Sequence, residues 1–325
     1  MQAIRVHEYG GAGALRLEEI PTPEPGAGQV RVRLQAVGVN FIDVYHRSGA
    51  YKSELPITPG REGAGVVDAV GDEAGGATGV QVGDRVAFAM TPGTYAQYVL
   101  VDAANLAPVP EGVSSEQAAA VMLQGMTAHY LVTDTFPLQE GQTCLVHAAA
   151  GGVGHVLVQM AKMRGAHVIG TASTLEKIAF ATEAGADEMI QYTEVDFLEE
   201  TLRLTGGRGV DVVYESVGKD TFMRSMQALR PRGYLVLYGQ SSGAVEPLDP
   251  QLLNRYGSLF LTRPSLGHYI ADREALLWRA GELFEWIAAG RLHVHIDKTY
   301  PLSDAAEAHR YLEGRKTKGK VLLAP

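Results

Sequence analysis

Twelve residues near the middle of the chain, Thr143-Cys144-Leu145-Val146-His147-Ala148-Ala149-Ala150-Gly151-Gly152-Val153-Gly154, constrain its fold more than any other stretch. An apolar run of β type enters a small-residue turn. Beyond it Val153, Val156, Leu157, Met160 and Ala161 are apolar at helical spacing. Strand, glycine turn and helix in that order make a dinucleotide site. Glycine lets the backbone approach a pyrophosphate, and the unpaired N–H groups and dipole of the first helical turn hold the anion. The match to G-x-G-x-x-G is partial, with Ala149 at the first glycine, Gly151 at the second and Gly154 at the third. Alanine suits a tight turn there only if its φ stays negative.

Downstream the chain alternates strand and helix. His167 to Gly170 reads as a second strand, Glu188 to Ile190 as a third and Asp211 to Tyr214 as a fourth. Gly233 to Leu237 and Ser258 to Leu261 read as a fifth and sixth. Helices over Leu175–Ala184, Asp196–Thr205 and Thr221–Leu229 fall between them. Six strands with crossover helices are the full count of a doubly wound domain.

The first hundred or so residues follow another grammar. Val30 to Val37 alternates apolar and polar at period two, and Gly63–Gly71 and Gly83–Phe88 read as further short strands between glycines. Pro21, Pro23 and Pro25 suit an extended crossing. Short strands at this spacing suggest a small barrel or sandwich. Ser114 and Gln117 form a capping-box pattern that opens an Ala-rich helix through Met122, Met126 and Leu131, a bridge between domains. After Ser265 come a helix capped by Asp272, another from Ser303, and a last strand over Gly319–Leu323 that returns to the first domain. The expected organisation is therefore a β-rich domain over 1–125, completed by 267–325, and a dinucleotide domain over 126–266.

At 325 residues, a formal charge of −9 disfavours the basic footprint that nucleic-acid binding needs, although net charge says nothing of a local basic groove. Its single cysteine, Cys144, rules out an internal disulfide and a cysteine-rich zinc site, and inside a strand it reads as a small buried hydrophobe. Neither a signal-peptide core nor a membrane-spanning run is visible, so the cytoplasm is the expected location. The ten histidines form no metal-like cluster, and His293 and His295, which alternate like strand residues, read as structural or exposed.

The coenzyme is chosen at the end of the second strand, where NAD-binding folds place a carboxylate on the ribose 2′-hydroxyl. This chain has Gly170-Thr171-Ala172-Ser173-Thr174 there, with Lys177 one helical turn on. A small hydroxyl and a lysine suit a 2′-phosphate, which a carboxylate would repel. NADPH is expected over NADH.

Several further motifs stand in order along the chain: Asn40-Phe41-Ile42-Asp43-Val44-Tyr45 with Arg47-Ser48-Gly49, Gly60-Arg61-Glu62-Gly63-Ala64-Gly65, Ala148 to Gly154, Ser216-Val217-Gly218, Gly239-Gln240-Ser241-Ser242-Gly243, and Thr262-Arg263-Pro264-Ser265-Leu266. Together they resemble the medium-chain dehydrogenase/reductase superfamily over essentially the whole chain, and within it the zeta-crystallin-like quinone oxidoreductases. The resemblance implies an α/β protein with a GroES-like substrate domain beside a Rossmann domain, a cleft between them, and a homodimer. Zinc-dependent relatives carry Gly-His-Glu where this chain has Gly60-Arg61-Glu62, so a histidine ligand is missing and no metal is expected. Without a Lewis acid, alcohol oxidation is disfavoured, whereas a quinone is already electrophilic.

For the coenzyme, the resemblance implies Phe41, Ile42 and Tyr45 near the nicotinamide with Thr127 and Tyr130 across the cleft, and Gly152 and Val153 at the pyrophosphate. Ser173, Lys177 and Tyr192 would hold the adenosine phosphate, and Ser216, Gly239, Gln240 and Ser241 would line the switch-point crevice. Arg263, Pro264, Ser265 and the Lys318 segment would close over it. The polar substrate candidates are Asn40, Asp43, Tyr45 and Arg47. Asn40 could orient a quinone oxygen and Tyr45 could donate to it, while Asp43 and Arg47, four apart, could instead pair on a helix. Glu62 is open to two readings, general base or structural hydrogen bond. Reduction of activated C=C bonds, and a non-catalytic NADPH- or RNA-binding crystallin-like role, stay open beside quinone reduction.

Overall fold

The computed structural model describes residues 1–325, the side chain of Ala77 excepted. Strands β1 (Gln2–Arg5), β2 (Arg16–Glu19), β3 (Gln29–Val39), β4 (Glu62–Val70), β5 (Arg85–Ala89), β6 (Tyr98–Asp102) and β7 (Ala107–Pro108) come first, with helices α1 (Phe41–Ser48) and α2 (Ala74–Thr78) among them. After helix α3 (Ser115–Tyr130) the chain runs β8 (Thr143–Val146), α4 (Gly152–Met163), β9 (His167–Ala172), α5 (Leu175–Glu183), β10 (Glu188–Gln191) and α6 (Phe197–Leu204). It continues through β11 (Val210–Glu215), α7 (Phe222–Gln227), β12 (Leu229–Leu237), α8 (Gln251–Arg255) and β13 (Phe260–Thr262). Helices α9 (Leu266–Tyr269) and α10 (Arg273–Ala288), strand β14 (Ile296–Pro301), helix α11 (Ala305–Glu313) and strand β15 (Lys320–Ala324) complete it.

Two compact units result, one of Met1–Met126 with Tyr269–Pro325 and the other of Thr127–His268. The first is built on a seven-stranded sheet ordered β14-β15-β3-β4-β5-β7, with β6 also paired to β3. Strand β3 alternates buried Val30, Val32 and Leu34 with more exposed Arg31, Arg33 and Gln35, and then runs buried from Ala36 to Val39. Its inward side chains meet Val67, Phe88, Val99, Val321 and Leu323 in one apolar cluster. Each such side chain contributes ~1.5–3 kcal/mol when fully buried. The last strand, β15, pairs antiparallel with β3 through Val321 opposite Val39, so the chain end is structural to this unit.

The second unit is a six-stranded parallel sheet ordered β10-β9-β8-β11-β12-β13. In sequence order that is 3-2-1-4-5-6, the doubly wound order with its switch point between β8 and β11. Central β11 is buried at all six residues, as a strand covered on both faces must be. Cys144 lies buried in β8, and burial pushes its thiol up to about 12. That suits packing and not nucleophilic chemistry.

The strand-like alternation of His293 and His295 does not form a strand, since both precede β14, and both are exposed, one of the two readings the sequence allowed. Strand β14 escaped the sequence reading because it lies at the sheet edge with little burial alternation.

Candidate active site

The glycine turn after β8 fits an anion. Ala148 sits in the left-handed region at φ 51°, whereas Ala149 does not, so the strained position lies one residue before the one the motif marks. The Gly151 N–H donates to the Ala148 carbonyl at 2.8 Å, closing the turn. A Cβ on Gly154 would lie 2.3 Å from that same oxygen and 2.9 Å from the Ala149 Cα. Only glycine therefore lets the first turn of α4 sit against the loop. The opening N–H groups of this 12-residue helix, which have no intrahelical acceptors, are left to bind a phosphate group.

At the carboxyl ends of β9 and β10 three further candidates gather. Thr174 Oγ1 accepts from the Lys177 N–H at 3.3 Å, which starts α5 and sets Lys177 in its first turn. Ala172 and Gln191 are in register, and the Tyr192 N–H donates to the Ala172 carbonyl at 3.2 Å. Tyr192 is exposed and Ser173 half-buried. No carboxylate stands at 170–174.

The switch-point crevice is held by a residue the sequence reading missed. Glu215, fully buried at the end of β11, accepts from the N–H groups of Val217 (2.7 Å) and Gly218 (3.1 Å), from Thr221 Oγ1 (2.9 Å) and from Ser225 Oγ (2.6 Å). Its own carbonyl accepts from the N–H groups of Tyr238 (2.9 Å) and Gly239 (3.3 Å). One residue thus fixes both loops that carry Ser216, Gly239, Gln240 and Ser241. Buried His147 lies 2.9 Å from Ser225 Oγ and 3.1 Å from Thr171 Oγ1. Burial lowers its pKa against the pull of Glu215, so it is neutral and its 3.6 Å approach to that carboxylate is not an ion pair. Since Ser225 donates to Glu215, its oxygen accepts from His147 Nε2, and Nδ1 accepts from Thr171.

In the first unit, α1 stands on a buried charged network. Glu62 Oε1 accepts from Asn40 Nδ2 at 2.6 Å and is paired with Lys320 Nζ, and Glu62 Oε2 accepts from the Leu123 N–H at 2.6 Å. Asn40 Oδ1 accepts from Lys320 Nζ (2.9 Å) and Gln124 Nε2 (3.1 Å). Gly38 makes room for this, because a Cβ there would lie 2.0 Å from Glu62 Oε1. Asp43 Oδ2 accepts from the Asn40 N–H at 2.8 Å and from Tyr95 Oη at 3.0 Å. Tyr95 Oη is 3.0 Å from His309 Nε2, and His309 Nδ1 is 3.0 Å from Arg47 Nη1. A guanidinium only donates, so the His309 proton sits on Nε2 and points to Tyr95. Arg47 also forms a two-pronged pair with Glu313 at 2.8 and 2.9 Å. Burial lifts Asp43 to about 7, and burial with the Arg47 charge holds His309 down to about 3.

The outward residues of α1 are different in kind. Phe41, Ile42, Tyr45 and His46 are half-buried. Tyr45 packs edge-on against Tyr51 (5.2 Å) and tilted against Phe41 (6.4 Å), and Tyr51 in turn meets His46 edge-on (5.7 Å). Arg61 Nη2 lies 2.8 Å from His46 Nε2.

These placements revise several expectations. Asn40, Asp43 and Arg47 are 4%, 1% and 2% exposed, with side chains engaged inside the network that braces α1. Arg47 pairs with Glu313 and His309, not with Asp43 four residues away. Glu62 is structural, its carboxylate consumed by Lys320, Asn40 and Leu123. Tyr130 is 2% exposed and Thr127 7% exposed, both buried in this structure. Gly152, Val153, Ser216, Gly239, Gln240 and Ser241 lie half-buried at the ends of the parallel strands. Arg263 and Ser265 are exposed and Pro264 buried just after β13, and Lys318 is half-buried before β15. Among the described residues no group of three or more His, Cys, Asp or Glu side chains is arranged to hold a metal ion.

The chain matches the family model for the alcohol dehydrogenase GroES-like domain over residues 26–111 and that for zinc-binding dehydrogenase over 184–323. It is 44% identical to a 2-haloacrylate reductase of a Burkholderia species, over 100% of this chain and 99% of that one. It is likewise 44% identical to a quinone oxidoreductase of Pseudomonas aeruginosa, over 99% of each chain. The crystal structure of Escherichia coli quinone oxidoreductase complexed with NADPH superposes with a TM-score of 0.97 at 43% identity over 100% of both chains. With its 3-2-1-4-5-6 sheet, GroES-like unit and full-length likeness, this chain belongs to the medium-chain dehydrogenase/reductase superfamily, on its quinone oxidoreductase branch.

Proposed function

We propose that this protein is a zinc-independent, NADPH-dependent quinone oxidoreductase. One observation carries the choice of chemistry. The position that bears a histidine in the zinc-dependent pattern holds Arg61, and the adjacent carboxylate, Glu62, is already paired with the buried Lys320 ammonium. An acceptor here must be electrophilic without a metal's help, as a quinone is.

NADPH supplies the hydride when bound. The α4 N-terminus with Gly152 and Val153 would hold its pyrophosphate, and Ser173 and Lys177, with Tyr192 beside them, its 2′-phosphate. Ser216, Gly239, Gln240 and Ser241 would line the crevice, and Arg263, Pro264, Ser265 and Lys318 would close over it. Phe41, Ile42 and Tyr45, with Thr127, would border the nicotinamide half and exclude water. Of the four polar candidates Tyr45 is the half-buried one, and it would hydrogen-bond the acceptor oxygen, with the proton that completes the hydroquinone coming from solvent. A homodimer joined at the β13 edge is part of the proposal, supported by exposed Phe260 and Leu261 on that outer strand. A cytoplasmic location belongs to it too; no helix among the described residues is long and apolar enough to cross a membrane.

The name of the Burkholderia relative supports a second reading, reduction of an activated C=C bond by the same hydride delivery. Coenzyme titration tests the first part directly. NADPH binds more tightly than NADH, and Lys177→Ala weakens NADPH about tenfold while leaving NADH nearly as before. Equal affinity for the two coenzymes contradicts the assignment.

A further inference from the structure

Arg61 is a half-buried guanidinium, and among the described residues no carboxylate forms an ion pair with it. Its hydrogen-bond partner is the imidazole of His46, at 2.8 Å. Burial lowers the pKa of Arg61, with the Asp43 charge acting against that. Burial and the Arg61 charge likewise lower His46, whose Nδ1 lies 3.1 Å from Ser53 Oγ, so the imidazole is neutral and Nε2 accepts from the guanidinium. Of the nearby acids, Glu62 is paired with Lys320, and Asp43 accepts from Asn40 and Tyr95 through Oδ2 while its Oδ1 is buried with no hydrogen-bond partner, Arg61 included. A partly desolvated guanidinium is costly to leave with a neutral partner, and its remaining N–H donors suit a planar two-oxygen anion. The contacts His46–Tyr51, Tyr51–Tyr45 and Tyr45–Phe41 join it to the aromatic face of α1.

Taking the reductase reading as its basis, we propose that Arg61 is a specificity-determining residue that selects acceptors carrying an anionic group, carboxylate or sulfonate, beside the electrophilic ring or double bond. The aromatic face takes the apolar body, and the guanidinium takes the anion by charge-assisted hydrogen bonds. Hydride addition then gives an oxyanion, enolate or hydroquinone, that is protonated from solvent while NADPH becomes NADP⁺.

The test compares 1,4-naphthoquinone with its 2-sulfonate in wild type, Arg61→Met and Arg61→Lys. The ratio of kcat/KM for the anionic over the neutral acceptor falls about 10- to 100-fold in Arg61→Met, through KM more than kcat, and about half as far on a logarithmic scale in Arg61→Lys. Calorimetric binding of the sulfonate to the NADP⁺ complex, where no turnover occurs, weakens in parallel. A ratio and a sulfonate affinity both within twofold of wild type overturn the inference and leave quinone reduction standing. Wild-type enzyme that binds NADPH but reduces neither quinone overturns the reductase reading and this inference together.

Discussion

Beneath α1 the first unit buries Lys320 against Glu62 and Arg47 against Glu313, with Asp43 and His309 between them. Beneath the crevice loops the second unit buries one carboxylate, Glu215, among hydroxyl and backbone N–H donors and a neutral histidine. Both arrangements hold backbone in place, α1 in one unit and the loops after β11 and β12 in the other. In the first, each charge depends on another charge, so losing one partner strands the other in a medium that solvates it poorly. In the second, the cost is spread over several neutral bonds, and any single one is worth far less. A charged bracing should therefore fail abruptly and a neutral one by degrees.

Lys320→Met breaks the first arrangement most severely. It leaves Glu62 buried and unpaired, and urea unfolding should show a loss of ~3–5 kcal/mol, much of it restored in the Lys320→Met/Glu62→Gln double variant. A loss below about 1 kcal/mol would show the pair to be dispensable. Ser225→Ala is the matching change in the second unit. It removes one of the four donors to Glu215 and the acceptor of His147, costs ~1–3 kcal/mol, and raises the Kd for NADPH several-fold because the crevice loops loosen. Destabilisation as large as that of Lys320→Met would erase the contrast between the two clusters.

The pH dependence sharpens the comparison further. Asp43 stands at about 7 when folded against 3.8 in the unfolded chain. Between those values the folded state keeps a proton that the unfolded state has released, so this group makes stability fall as pH rises from about 4 to about 7. His309, held to about 3 against 6.5, acts in the opposite sense and adds stability as pH rises through that interval. Asp43→Asn removes the falling contribution alone. Its stability measured by urea unfolding should then climb more steeply between pH 4 and 7 than that of wild type, and parallel profiles would count against a shifted Asp43.

What the sequence revealed follows the range of the interactions. The parallel strands were legible because burial on both faces writes them as apolar runs, and helices punctuate them at regular intervals. The glycine turn was legible too, although the left-handed residue proved to be Ala148 rather than a position the motif marks. Glu215 could have been found. Its partners lie two to ten residues ahead in Glu215-Ser216-Val217-Gly218, Thr221 and Ser225, a local pattern of an acid capping a turn. Lys320 and His309 had no such signal. Lys320 lies 280 residues from Asn40 and His309 lies 214 from Tyr95, so only the folded sheet brings them together. The network around Asn40, Asp43 and Arg47 was out of view for the same reason, because several of its members come from the far end of the chain.

Steady-state NADPH oxidation on chelator-treated enzyme tests the central claim most directly, with a quinone, an enone and a primary alcohol as alternative partners. The account predicts that the quinone is consumed fastest, at a rate the chelator does not change, with little or no turnover of the alcohol. Alcohol turnover that vanishes with chelator and returns with added zinc would contradict it.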